Sequence, residues 1–171
     1  VSLDGTGGAG DLIDFQGDVT VATDLAVNAG PYSVQFTGAT NSIQGNVTAG
    51  VFNNTGTLTL GNGGDAFTFD DGLTATAPGT INLAATISTT GDDMSIGPAG
   101  LGGATTLQST GGNITLDTVN NGNTFTVDAA GGTVTLNGAL GGGTALTSFT
   151  LTTGAAVVLP AITTTGALDV T

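Results

Sequence analysis

The sequence predicts an all-β chain folded as a single-domain parallel β-solenoid (β-helix), and three observations carry that expectation. The composition starves helices, short runs alternate apolar with polar residues between glycine corners, and those runs fall into a larger imperfect repeat.

Among 171 residues there are 31 Gly and no Lys, Arg, His, Cys or Trp, and all 13 acidic residues are Asp. Of the good helix formers mainly Ala and Leu remain, whereas the abundant Thr, Val, Ile and Phe suit pleated surfaces. A hydrophobic content of 39% over this length is enough for a buried core.

The alternating runs include Val34-Gln35-Phe36, Leu58-Thr59-Leu60, Phe67-Thr68-Phe69, Ile114-Thr115-Leu116, Phe125-Thr126-Val127 and Val134-Thr135-Leu136. A period of two turns one face of a short strand to a core and the other to solvent. Between them, Gly61-Asn62-Gly63-Gly64, Asp71-Gly72, Asn121-Gly122 and Asn137-Gly138 supply corners with positive φ.

A doublet opened by a bulky residue, a glycine corner, a second doublet and one more apolar residue form the larger unit. Phe67, Phe69, Ile81, Leu83 and Ile87 match Phe125, Val127, Val134, Leu136 and Leu140, and again Phe149, Leu151, Val157, Leu159 and Ile162. Looser copies begin at Val34, with Val47 as a late member, and at Met94, so the starts step by 33, 27, 31 and 24 residues. Repeats of this size mark arrays whose units bury their apolar faces only by stacking. Six to eight coils are expected, a rod of about 30 to 40 Å at about 4.8 Å per coil. The Asn-Gly and Asp-Gly steps leave an antiparallel β-sandwich as the alternative. One repetitive domain is expected over residues 1–171, with residues 1–10 as an extended arm and Gly97 to Gly103 as a loop between copies.

With a formal charge of −13 and no basic side chain, the chain lacks the cations that bind phosphates or anionic head groups, so neither nucleic acid nor a membrane surface is an expected partner. The most apolar run, about Ala155 to Ile162, is far short of the roughly 20 residues of a spanning helix. The chain opens at Val1 without a charged and apolar leader, as expected of a processed form or an excised segment.

The phrases Gly112-Asn113-Ile114-Thr115-Leu116, Asn123-Thr124-Phe125-Thr126-Val127 and Gly166-Ala167-Leu168-Asp169-Val170-Thr171 resemble the repeat regions of bacterial surface proteins of the filamentous haemagglutinin-like and autotransporter-adhesin type. The resemblance covers roughly residues 19 to 171. It implies a right-handed parallel β-helix, secreted to the bacterial cell surface as a passenger portion and working in adhesion, aggregation or matrix formation, with a surface receptor or matrix glycan as partner.

Catalysis has little to draw on, since acid–base work falls only to Asp, Tyr32 or the termini, and no enzyme activity is expected. The adjacent pairs Asp70-Asp71 and Asp92-Asp93 would point to opposite faces of a strand rather than form a facing dyad. Calcium, which takes oxygen ligands, is the one cofactor the residues suggest, with Asp65, Asp70, Asp71, Asp92 and Asp93 as candidate ligands. Gly61-Asn62-Gly63-Gly64-Asp65-Ala66-Phe67 fits part of the calcium-binding nonapeptide, yet it occurs once, and a plain turn before a strand is the favoured reading. Asn46-Val47-Thr48 and Asn113-Ile114-Thr115 fit the glycosylation frame, as chance allows in so Asn- and Thr-rich a chain.

Three function classes follow. The first is a structural or adhesive fibre, self-associating end to end because the apolar pattern runs on to Val170 without a polar cap. The second is an ice-binding module, suggested by Thr57 and Thr59, Thr74 and Thr76, Thr124 and Thr126, and Thr133 and Thr135, although steps of 24 to 33 residues would spoil the register of such a face. The third is a calcium-dependent surface layer. The fibre is the favoured expectation.

Overall fold

A computed structural model describes residues 1–5, 8–44, 50–153, 155 and 157–171. Val47 and the Asn46-Val47-Thr48 frame lie outside the described residues. All described regular structure is β, and every strand pair is parallel. The chain winds through about eight turns of a β-solenoid, as the sequence predicts and as the antiparallel sandwich does not allow.

The first coil holds β1 (Ser2–Leu3), β2 (Leu12–Phe15) and β3 (Val19–Val21), and the second β4 (Ala26–Gly30), β5 (Ser33–Phe36) and β6 (Thr40–Ile43). β7 (Gly50–Asn54) and β8 (Thr57–Phe69) make the third, and β9 (Leu73–Ala75) and β10 (Thr80–Thr89) the fourth. The fifth has β11 (Met94–Ile96), β12 (Ala99–Leu101) and β13 (Thr105–Ser109), and the sixth β14 (Ile114–Leu116), β15 (Val119–Asn120) and β16 (Thr124–Ala129). β17 (Val134–Leu136) and β18 (Ser148–Thr153) belong to the seventh, and β19 (Leu168–Val170) to the eighth.

Like strands stack into three faces. The first face is a separate sheet in the order β1-β4-β7-β9-β11-β14-β17. The second and third faces are joined because β8 and β10 run through the corner between them, where the register shifts between Leu83 and Ala85. Gly61 sits at this corner with φ +86°, and a Cβ there would strike the Ala84 carbonyl one coil on, so only glycine serves.

Alternation sends at least two columns of side chains per face inward, one from each apolar member of the doublet. On the third face Phe67, Ile87, Leu107, Val127 and Leu151 follow one another in register, all nearly inaccessible. Phe36 anchors the second and third coils, stacked on Phe15 at 4.7 Å and edge-on to Phe52 and Phe67 at 6.3 Å. Each such buried side chain contributes roughly 1.5–3 kcal/mol, against about 1 kcal/mol for an outward hydrogen bond, so the columns hold the coils together.

The register corrects the repeat read from the sequence. Phe67, Ile87, Leu107 and Val127 are spaced 20 residues apart, whereas Asn41 to Phe67 takes 26 and Val127 to Leu151 takes 24, so the coils vary in length but the middle ones are shorter than the steps read from the sequence. Val34 lies on the second face, Phe67 on the third and Met94 on the first, so the unit had slipped from face to face. Of the proposed starts, only Phe125 and Phe149 are true partners. All three faces carry the same apolar–polar–apolar signature, and nothing in a doublet says which face it occupies. Gly97 to Gly103, expected as a loop, contains β12 on the second face. Ser2 and Leu3, in the expected arm, pair with Ala26 and Val27, and Leu3 is 9% exposed.

Candidate functional site

Three surface features are candidates: the aspartates at the corners, the outward hydroxyl columns, and the end coils. The aspartates divide. Asp65 is 7% exposed, and its Oδ2 accepts the Asn62 N–H at 2.7 Å, closing the corner that Gly61 opens. This is the turn that the single copy of the nonapeptide fragment suggested.

The other four lie where the third face turns into the first. Asp70 accepts the Thr90 hydroxyl with its carbonyl at 2.7 Å and its carboxylate at 2.6 Å. Asp93 Oδ1 accepts the N–H and Nδ2 of Asn113, whose own Oδ1 accepts the Thr133 N–H and hydroxyl, a ladder climbing one coil per step. Asp71 Oδ2 and Asp24 Oδ1 are shut off from solvent and accept no hydrogen bond among the described residues. Burial first, then the charges of Asp70, Asp92 and Asp24, push the Asp71 carboxyl above its usual range. Coil stacking thus brings Asp24, Asp70, Asp71 and Asp92 into one field, and only Asp24 escaped the sequence reading. Asp70 and Asp71 sit in a turn, so the opposite-face rule for strands does not separate them. Among the described residues, no three carboxylates come close enough together to hold a metal ion.

The hydroxyl columns are better ordered than the sequence implied. Thr86, Thr106, Thr126 and Thr150 are register partners along the outside of the third face, and Thr74, Ser95, Thr115 and Thr135 along the first. The objection to a regular face from uneven steps therefore fails in these coils. The neighbouring column on the third face reads Thr68, Ser88, Gln108, Asp128 and Thr152, with an amide and a carboxylate at its centre.

The ends differ from the middle. The half-buried apolar residues packed against the core are Ile13, Phe15 and Val19 in the first coil and Val157 and Ile162 in the last. Leu168 and Val170 are 52% and 41% exposed although they continue the columns of Phe149 and Leu151. On the first face the ladder stops at β17. Gly97, Asp117 and Asn137 each donate N–H to the preceding coil, to Ala75, Ile96 and Leu116. With Val157 and Leu159 following Val134 and Leu136, the next donor would be Pro160, which has no N–H. A groove of about 490 Å³ separates β17 from this segment, and Val158 on its rim is 88% exposed.

These features define the chain as a parallel β-solenoid with hydroxyl-bearing faces and apolar end coils. No family model, no curated protein and no solved structure matches it.

Proposed function

We propose that this chain is a non-enzymatic structural element of an extracellular, bacterial cell-surface rod, self-associating by head-to-tail stacking of coils. The continuity of two core columns carries the reading. On the second face Ile13, Val34, Leu58, Ile81, Ala99, Val119, Leu140 and Ile162 form one column. On the third face another begins at Val19 and Asn41 and ends at Leu151 and Val170. A second copy laid on the last coil in the same direction sets Ile13 against Ile162 and Val19 against Val170, burying apolar atoms now half exposed. Because the two contacting surfaces differ, such a joint repeats without closing and yields a filament. The acidic, cation-free composition suits an element that avoids nucleic acid and lipid head groups. Export to the surface, and adhesion to a receptor or matrix glycan, rest on the resemblance of its repeats to surface adhesins.

Sedimentation velocity over a concentration series, with electron microscopy of the same samples, tests this. Thread-like particles one solenoid wide are expected. A monomer at every concentration, pH and salt level would overturn it. The Thr86-Thr106-Thr126-Thr150 column favours a second reading, ice binding. Asp128 at the centre of the adjoining column weighs against it, and absence of thermal hysteresis would dispose of it.

A further inference from the structure

The outer columns of the third face run to both ends, and one begins and ends in a carboxylate. The Thr40 N–H donates to Asp18 Oδ1 at 2.9 Å, and Val19 pairs with Asn41, which places Asp18 beside Thr40. From Thr40 the column passes through Ala66, Thr86, Thr106, Thr126 and Thr150 to Asp169. Asp18 and Asp169 are thus the same position of the coil, in the first turn and in the last.

Resting on the head-to-tail reading above, we propose that the joint between copies is gated by the carboxylate pair it creates, Asp169 of one copy beside Asp18 of the next, so that protons and salt decide whether rods join. The register that sets Val19 against Val170 leaves these two side chains no other place. They stand on neighbouring strands about 4.8 Å apart, on the solvent side, where like charges directly opposite destabilise pairing. No neighbouring group can neutralise them. On β6 and β8, Asp18 is faced by Thr40 and Ala66, with Asp65 one position back. Asp11 and Asp14 add negative charge on its own coil. Below Asp169 stands Thr150, with Thr152 two positions on and Asp128 one strand further. The chain has no Lys, Arg or His.

Opposing this are the apolar contacts of Ile13 with Ile162 and Val19 with Val170, which do not depend on pH. Protonating one carboxylate of the pair removes the repulsion and leaves a hydrogen bond between the two, and salt screens what remains. The wild-type chain therefore stays largely unassembled at pH 7 and low salt. It joins on acidification or as salt is added.

The test compares the wild type, the double variant Asp18→Asn with Asp169→Asn, and a control, Asp92→Asn with Asp117→Asn, which removes the same charge from the middle of the rod. Asn at position 18 keeps the oxygen that accepts the Thr40 N–H, and far-ultraviolet circular dichroism of each variant checks the fold. Sedimentation velocity is run between pH 4 and 7.5 at two salt levels. The expected result is an association constant about tenfold higher at pH 7 for the joint variant, with most of its pH and salt dependence gone, while the control keeps the wild-type profile. If the wild type assembles and the joint variant keeps the control's pH and salt dependence, the gating is overturned and the stacking stands. If the wild type assembles under no condition, the stacking reading itself fails.

Discussion

Asp93 and Asn113 are joined one coil apart by two hydrogen bonds to a single carboxylate oxygen, from the Asn113 N–H at 2.8 Å and from its Nδ2 at 3.1 Å. Asn113 repeats the pattern as acceptor, taking the Thr133 N–H at 3.0 Å and the Thr133 hydroxyl at 2.7 Å. It is the hinge of a corner ladder in which each side chain satisfies the backbone of the next coil.

Asn113→Ala removes the side-chain donor to Asp93 and both bonds to Thr133. Because the site is exposed and water replaces part of what is lost, the expected destabilisation is about 1–2 kcal/mol. A shift of the urea midpoint at unchanged slope measures it. Asn113→Asp should cost more at neutral pH, since it sets two carboxylates one coil apart, and should recover on acidification. Equal losses at every pH would show that charge has no part in the ladder.

Backbone packing at the same corner is stricter than hydrogen bonding. A Cβ on Gly132 would fall far inside van der Waals contact with the Gly112 carbonyl oxygen, whereas one on Gly131 would meet nothing closer than 3.6 Å. Gly132→Ala should therefore destabilise by several kcal/mol, since backbone has to shift, while Gly131→Ala should change stability by less than about 1 kcal/mol. Thermal melts of the two single variants decide this, and similar melting temperatures would mean that the coils separate more easily than the register suggests.

The strands were legible in the sequence because the Phe125-Thr126-Val127 type of doublet is a local signal. Parallel stacking followed from the need to bury faces that no single coil can bury. What the sequence hid was phase. Phe67 and Met94 look alike as openings of a doublet but stand on different faces, and only the register says so. The corner cluster was half legible for a related reason. Asp70, Asp71 and Asp92 announce themselves as adjacent pairs or close neighbours, but Asp24 reaches Asp71 only through coils stacked between distant stretches of chain. Asp65 was legible as a turn residue because its partner, Asn62, is three positions away.

Asp71 supplies a pH prediction whose sign is fixed. Its carboxyl is raised by burial and by Asp70, Asp92 and Asp24, so the folded chain holds this proton more tightly than the unfolded chain does. Between the ordinary aspartate value of 3.8 and the raised folded value, the native state binds more protons, and stability falls as pH rises through that window. Above it the charged Asp71 is a constant burden. Asp71→Asn should therefore be more stable than the wild type at pH 7, and its advantage should vanish at pH 3. Urea midpoints measured from pH 3 to 7 test this, and a variant less stable than wild type at pH 7 would show that the Asp71 carboxylate is stabilised by something other than its neighbours.

Pro160 explains why the first face ends one coil before the other two. Gly97, Asp117 and Asn137 close each rung by donating to the coil before, and Pro160 falls at the next such place without a proton to give. The neighbouring faces continue, with Leu140 paired to Ile162 and Phe149 to Leu168, so stacking itself does not fail there. Pro160→Thr restores the N–H and supplies the residue type that strands favour. The expected result is an eighth rung, with a new bond from position 160 to the Leu136 carbonyl, closure of the groove over Val158, and a gain of about 1 kcal/mol. Hydrogen exchange gives the direct readout, because the new amide at position 160 should be as protected as that of Asn137. If it exchanges like an open amide, the groove is held open by the packing of Val157 to Leu159 rather than by the missing proton.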